Sequence, residues 1–327
     1  MRNRRKMLLI GVWANRNWIL GNWIKEVQLR SKENFQVWWV PSVFAGKRRI
    51  ENLLALPLPT AESYFFSYIT IFERYLRRNP TKYENRSIVL YPHAEAEIGT
   101  VQKQVETLNR AFAVYFFCSK DAENLVRNGL VAEKVRLAYC AVDVDCVASP
   151  KFIRVEKTIV LASKYGWRKG LSILPEIIKL LPDWHFVTLG RGWDTFIEET
   201  GIGLLPNFSH FELNKSSRTQ FFSECKIFLS LSELEGGPVP LIEAMATGAI
   251  PVATKTGFAP DFVRDGIDGY LLEINPTPHE VVTAILKAEL IQKASTNSSV
   301  NLLTWDRITS MTILDKSRIL VSSRDSA

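Results

Sequence analysis

The chain has 327 residues, 46% of them hydrophobic and 23% charged, with a net charge of +7. This is ordinary globular composition, long enough for two domains of about 150 residues each, and it excludes disordered and fibrous classes. Apolar stretches such as those at 64–72 and 111–118 stay under ten residues, whereas a membrane-spanning helix needs about 20. The basic start Met1-Arg2-Asn3-Arg4-Arg5-Lys6 is followed by a short apolar run with no small-residue cleavage site, so no signal peptide is expected. Cys118, Cys140, Cys146 and Cys225 are scattered, without a CxxC pair, so neither a metal nor a disulfide framework is expected. A reducing cytoplasm is the expected setting.

In chain order, the first half is predicted to hold strands over 6–12, 35–40, 88–91 and 114–117. Helices are predicted between them over 21–31, 64–78, 99–110 and 121–128. After Ser149-Pro150 the pattern restarts, with strands predicted over 158–162, 185–189, 227–231, 251–254 and 270–273. Its helices are predicted over 170–181, 217–224, 239–247 and 279–294. Nearly continuous apolar strands with helices between them imply parallel sheets covered on both faces. The expected architecture is α/β: two Rossmann-like domains, 1–150 and 151–304, facing across a cleft, with a closing segment at 305–327.

Charge divides unevenly between the halves. Residues 1–154 carry 24 Lys+Arg against 14 Asp+Glu, a surplus of +10, and the remainder carries 17 against 20. Basic clusters fall at Arg2-Asn3-Arg4-Arg5-Lys6, Lys47-Arg48-Arg49 and Arg77-Arg78. Near the predicted first helix, Trp18, Ile19, Leu20, Trp23 and Ile24 lie close to Arg16, Lys25 and Arg30. One expectation is that this half lies peripherally on the inner face of a membrane, offering aromatics to the headgroups and cations to anionic lipid. The alternative is that the apolar residues pack the helix onto its sheet and the cations are merely solvated. No nucleic-acid partner is expected.

The most informative stretch runs Ser232-Glu233-Leu234-Glu235-Gly236-Gly237-Pro238-Val239-Pro240-Leu241-Ile242-Glu243-Ala244-Met245-Ala246-Thr247-Gly248. A strand ends, a Gly-Gly turn follows, and a helix starts near Pro238, since proline fits a first helical turn. The layout predicts free backbone N–H groups and a positive helix end at the carboxyl edge of the sheet. Glu235 and Glu243 are acceptor-only carboxylates, each able to hold both hydroxyls of a diol. For Glu235 alone, a solvated carboxylate beside a capping turn is the competing reading.

The whole string resembles the GT-B glycosyltransferases of family GT4, whose signature is Glu-x7-Glu within Ser-x-x-Glu-Gly-x-x-x-Pro-x-x-Glu-Ala-Met-Ala-x-Gly. The resemblance implies retaining transfer of a sugar from a nucleoside-diphosphate sugar, with no metal and no cofactor beyond the donor. It places Glu243 at the nucleotide's ribose, and Glu235 with the Gly236-Gly237 turn at the donor sugar. Ala162-Ser163-Lys164-Tyr165-Gly166-Trp167-Arg168-Lys169-Gly170 resembles the family's diphosphate-binding segment, with Lys169 matching the family lysine and Lys164 standing where arginine is usual. Paired cations there stabilise the leaving diphosphate, Lys164 as a point charge without arginine's fork. Leu189-Gly190-Arg191-Gly192 resembles the family's Gly-x-Gly turn, assigning Gly190 to the donor. Trp305-Asp306 resembles the start of the family's C-terminal helix, which returns to the first domain.

In the first half, Tyr91-Pro92-His93 ends a predicted strand where a family histidine stands near the anomeric carbon. His93 is therefore a catalytic candidate, and a purely structural histidine is the alternative. Cys118-Ser119 resembles a later strand end, and Ala141-Val142-Asp143 the Gly-Val-Asp turn near the domain link. The family's Gly-Gly loop after the first strand is reduced to Gly21, and Pro238 has no N–H, so some donor contacts must be made differently. The acceptor is expected to be a glycan or a lipid-linked molecule. Asp143-Val144-Asp145 is an Asp-x-Asp of the metal-holding kind, but lies far in sequence from the donor motif. His93-Ala94-Glu95 lacks the Pro-Cys-x-x-Cys partner of zinc deaminases. The rival functions are a catalytically decayed nucleotide-sugar-binding scaffold and a sugar epimerase on the same fold.

Overall fold

The computed structural model describes residues 8–13, 19–31, 34–40, 43–45, 48–50, 57–92, 99–142, 155–212, 215–291 and 300–314. The chain divides into two compact units, Met1–Cys140 with Trp305–Ala327, and Ala141–Thr304. The junction thus falls somewhat before the expected 150, and the helix Trp305–Leu314 is grouped with the first unit. Among the described residues no helix is long and apolar enough to cross a membrane.

The first unit holds a six-stranded parallel sheet: β1 (Leu8–Trp13), β2 (Asn34–Trp39), β5 (Ser63–Phe66), β6 (Ser87–Tyr91), β7 (Ala113–Phe116) and β8 (Val135–Leu137). The order is β2-β1-β5-β6-β7-β8, and β3 (Val43–Ala45) and β4 (Arg48–Ile50) form a separate antiparallel pair. The predicted helix over 64–78 is corrected: its first residues are strand β5, and the helix is Ile69–Arg78. Tyr64, Phe65 and Phe66 are at most 1% exposed, between β1 and β6. A continuous apolar run of three residues, within a strand whose four residues are all buried, suits a central parallel strand covered on both faces.

The membrane-facing expectation for the first helix is also corrected. In the helix Ile19–Arg30, Leu20, Trp23, Ile24 and Val27 are all buried. Trp23 stacks on Trp13 with centroids 5.9 Å apart, and Phe65 stands edge-on to Trp13 at 5.1 Å and to Trp23 at 5.9 Å. The Trp13 indole N–H donates to the Leu20 carbonyl at 2.8 Å. These aromatics belong to the core because indoles bury large apolar area and prefer offset or edge-on partners. On the polar side, Arg30 pairs with Glu26 and with Asp306, and lies over the Trp305 ring at 6.0 Å. The cluster at 2–6, together with Arg16, Trp18 and Lys47, lies outside the described residues.

The second unit repeats the plan with β9 (Val155–Ala162), β10 (His185–Leu189), β11 (Phe208–Phe211), β12 (Cys225–Ser230), β13 (Ile250–Thr254) and β14 (Tyr270–Leu272). All neighbours pair in parallel in the order β11-β10-β9-β12-β13-β14. The chain therefore winds one way from β9 to β11, then crosses back to β12 beside β9. That reversal is a topological switch point, where such sheets bind ligands beyond the carboxyl ends of their strands. The helix Val239–Thr247 ends at Gly248 in the left-handed conformation, φ 90°, and β13 opens on Ile250-Pro251. The expected helix over 279–294 is Pro278–Glu289, started by a Thr277/Glu280 capping box.

Candidate active site

Two loops flank the switch point: one follows β9 and carries Lys164 and Lys169, the other follows β12 and carries Glu235. They are tied by backbone, the Glu233 N–H donating to the Arg168 carbonyl at 2.7 Å. Gly170 makes this approach feasible. It is left-handed, φ 59°, and a Cβ there would stand 2.1 Å from the Leu231 carbonyl oxygen. Gly170→Ala combines unfavourable φ with a backbone clash, so it is expected to cost about 3 kcal/mol or more by chemical denaturation. A loss below about 0.5 kcal/mol, the range of a neutral surface change, would show that the two loops are not coupled here.

The tie brings two predicted residues together. The Lys169 ammonium makes an ion pair with Glu235 Oε1, although the residues are 66 positions apart. Their side chains are 23% and 16% exposed, so the pair is partly withdrawn from solvent yet reachable by a ligand. The same Glu235 oxygen accepts from the Ser232 hydroxyl at 2.9 Å, and the Glu235 N–H donates to the Thr256 hydroxyl at 3.0 Å. An anion arriving at Lys169 meets a carboxylate already there and competes with it.

Lys164 is exposed on the same loop. Gly190 sits in the turn after β10, its N–H donating to the Phe211 carbonyl at 3.0 Å and its α-carbon against the Ser163 carbonyl. The Trp193 indole donates to that carbonyl at 2.9 Å, and the Tyr165 N–H donates to the Arg191 carbonyl at 3.0 Å. Gly190 thus packs the turn after β10 against the Lys164 loop.

Gly236 and Gly237 lie in the bend between Glu235 and the helix, but the helix start behind them does not present free amides. Pro238, at φ −70° and ψ 79°, is the centre of an inverse γ-turn. The Val239 N–H donates to the Gly237 carbonyl at 2.8 Å, and the Leu241 N–H donates to the Pro238 carbonyl at 2.8 Å. Pro238 and Pro240 have no N–H. The expectation of helix N–H groups aimed at the ligand is therefore corrected: none of residues 238–241 has one to spare. An anion here must rely on side-chain cations and on the glycine turn before the helix.

Glu243 is the fifth residue of the helix and only 2% exposed. If it holds the ribose diol, Glu243→Ala is expected to weaken nucleoside-diphosphate binding by about 1.5–3 kcal/mol, the range for hydrogen bonds to charged groups. Unaltered affinity in a folded variant, measured by titration calorimetry, would remove that role. His93, Asp143 and Asp145 lie outside the described residues. Ser232 and Thr256 were missed as site residues. Ser232 stands inside the signature string, whereas Thr256 lies 21 residues from Glu235 and carries no local signal.

Residues 149–301 match the glycosyl transferases group 1 family. A phosphatidylinositol N-acetylglucosaminyltransferase subunit of Arabidopsis thaliana is 29% identical over 183 residues, 51% of this chain and 39% of its own length. The GDP-mannose:cellobiosyl-diphosphopolyprenol alpha-mannosyltransferase of Xanthomonas oryzae pv. oryzae is 25% identical over 174 residues, 49% of this chain and 45% of its own. The chain thus spans less than half the length of these curated relatives. Among solved structures, HepE of Anabaena in complex with UDP and glucose superposes with a TM-score of 0.69 at 14% identity, covering 95% of this chain and all of that one. Sucrose-phosphate synthase of Thermosynechococcus elongatus superposes at 0.73 and 13% identity, covering 97% of this chain and all of that one. The two parallel Rossmann-like sheets, these superpositions and the family match together make this a chain of GT-B fold whose residues 149–301 match the group 1 glycosyltransferases.

Proposed function

We propose that the chain transfers a sugar from a nucleoside-diphosphate sugar to an acceptor, holding the donor on its Ala141–Thr304 unit. The observation that carries the reading is the Lys169–Glu235 pair at the switch point of β9 and β12. Lys169, joined by Lys164, takes the diphosphate and stabilises the charge that accumulates on it as the glycosidic bond breaks. Glu235, released from Lys169 by that anion, turns with Gly236 and Gly237 to the sugar hydroxyls, and Glu243 holds the ribose. His93 is proposed to act near the anomeric carbon, and Gly190 to border the donor. Retention follows from the resemblance to GT4. With lysines at the diphosphate, the proposal needs neither a metal nor a cofactor. The names of the two relatives, one for phosphatidylinositol and one for a diphosphopolyprenol, favour a glycan or lipid-linked acceptor.

Thermal-shift titration with UDP-, GDP- and ADP-sugars, with and without EDTA, tests this reading. A ligand at 100 times its Kd is expected to stabilise by about 2.7 kcal/mol, and EDTA is expected to change neither binding nor turnover. Silence toward all three donors would favour the second reading, a scaffold with a decayed site, which the spent amides at the helix start support. Loss of activity in EDTA with recovery on manganese would turn attention to Asp143 and Asp145.

A further inference from the structure

We propose that Thr256 is a positioning residue that sets the Glu235 turn, an inference that rests on the donor site proposed above. Glu235 lies outside any helix or strand, so no regular ladder fixes its main chain. The segment after β13 does so instead. The Thr254 hydroxyl donates to the Ser232 carbonyl, and the Thr256 hydroxyl accepts the Glu235 N–H at 3.0 Å. Gly257, left-handed at φ 53°, closes against the same turn: a Cβ there would lie 2.8 Å from the Gly236 carbonyl oxygen and 3.0 Å from Glu235 Cβ.

Thr256 is itself a fixed point. It is 5% exposed, its N–H donates to the Thr254 carbonyl at 2.7 Å, and its carbonyl accepts from the Ala259 N–H at 3.2 Å. The carboxylate it supports must present one oxygen to both the Lys169 ammonium and the Ser232 hydroxyl. Two donors meeting at one acceptor tolerate little drift of the main chain that carries it. Removing the Thr256 acceptor leaves the Glu235 N–H unpaired in a partly buried place, and the turn relaxes to find another partner. Displacement of about 1 Å in a reacting group costs on the order of 10²-fold in rate. Thr256 thus acts through Glu235 and touches no substrate itself.

Thr256→Val removes the hydroxyl while keeping the branched shape, and Thr256→Ser keeps the hydroxyl while removing the methyl. In the full chain, three quantities are measured: amide hydrogen exchange over residues 233–237, affinity for UDP and GDP, and release of those nucleotides from UDP-glucose and GDP-mannose. Thr256→Val is expected to speed exchange of the Glu235 amide by about tenfold or more. Its turnover should fall by about 10²-fold while nucleoside-diphosphate affinity does not fall by more than about threefold, because the cations on the other loop remain and loosening Glu235 only weakens the carboxylate that competes for Lys169. Thr256→Ser is expected to behave as the wild type in all three. Wild-type exchange and turnover in Thr256→Val would overturn the proposal, as would a Thr256→Ser variant as impaired as the valine, which would assign the effect to methyl packing. Failure of the wild type to bind or cleave any nucleotide would strike the donor-site reading, and the exchange measurement would still report whether Thr256 holds Glu235.

Discussion

Lys169→Ala is expected to lower turnover by about 10²–10³-fold, the loss typical of removing one preorganised group that faces developing charge. The size of the effect follows from what else is available. The helix start behind the glycine turn has no spare N–H, since Pro238 and Pro240 lack one and those of Val239 and Leu241 are used internally. A diphosphate bound at this switch point would therefore lean on the lysines more heavily than one at an open helix end. Folding should suffer less. The Glu235 side chain is 16% exposed and keeps the Ser232 hydroxyl, so loss of its cation is expected to cost about 1–3 kcal/mol. Nucleoside-diphosphate release and thermal unfolding, followed in the same preparations, separate the two. A turnover loss no larger than the unfolded fraction would leave Lys169 a structural partner of Glu235 and nothing more.

Glu235 and Lys169 were each legible through the strings around them, but not as a pair. Sixty-six residues separate them, and only the adjacency of β9 and β12 makes them neighbours. The exhausted helix start was half legible: two prolines announce two missing donors, while the use made of the Val239 and Leu241 amides depends on the backbone angles at Pro238. Thr256 was not legible at all, because its contact with Glu235 is made across two loops after neighbouring strands. The edge strands β8 and β11 escaped for a simpler reason. They are three and four residues long and only partly buried, so neither shows the apolar run that marks a central strand.

The first half posed the opposite difficulty, an apolar run that fits two settings. Residues 64–66 read equally well as the start of a helix, because a short continuous run has no period to decide between helix and strand. The structure decides through neighbours, with β1 on one side of β5 and β6 on the other. The aromatic start of the helix Ile19–Arg30 carried the same ambiguity between a lipid-facing and a core-facing surface. Composition cannot resolve it, since an amphipathic helix packs its apolar face on a sheet or on lipid by the same burial of area.

Trp23→Ala is therefore expected to destabilise the first unit by about 3–5 kcal/mol, the range for deleting a buried tryptophan. Trp23 is 1% exposed and lies among Trp13, Phe65 and Phe117, with ring centroids 5.9, 5.9 and 6.2 Å away. Its removal leaves a cavity that three rigid rings cannot collapse to fill. Trp23→Phe is expected to cost less, because most of the ring packing is kept and a buried indole N–H without a partner among the described residues is removed. Denaturant unfolding of both variants gives the stability arm. Co-sedimentation with anionic and neutral vesicles across a salt series gives the other. Any attraction of the basic surplus of residues 1–154 to anionic lipid would be worth about 1 kcal/mol per near-surface cation and would fade with salt. Because Trp23 is committed to the core, that attraction is expected to be the same in Trp23→Phe as in the wild type. A Trp23→Ala variant of unchanged stability that loses vesicle binding would reverse the assignment and return the helix to the membrane.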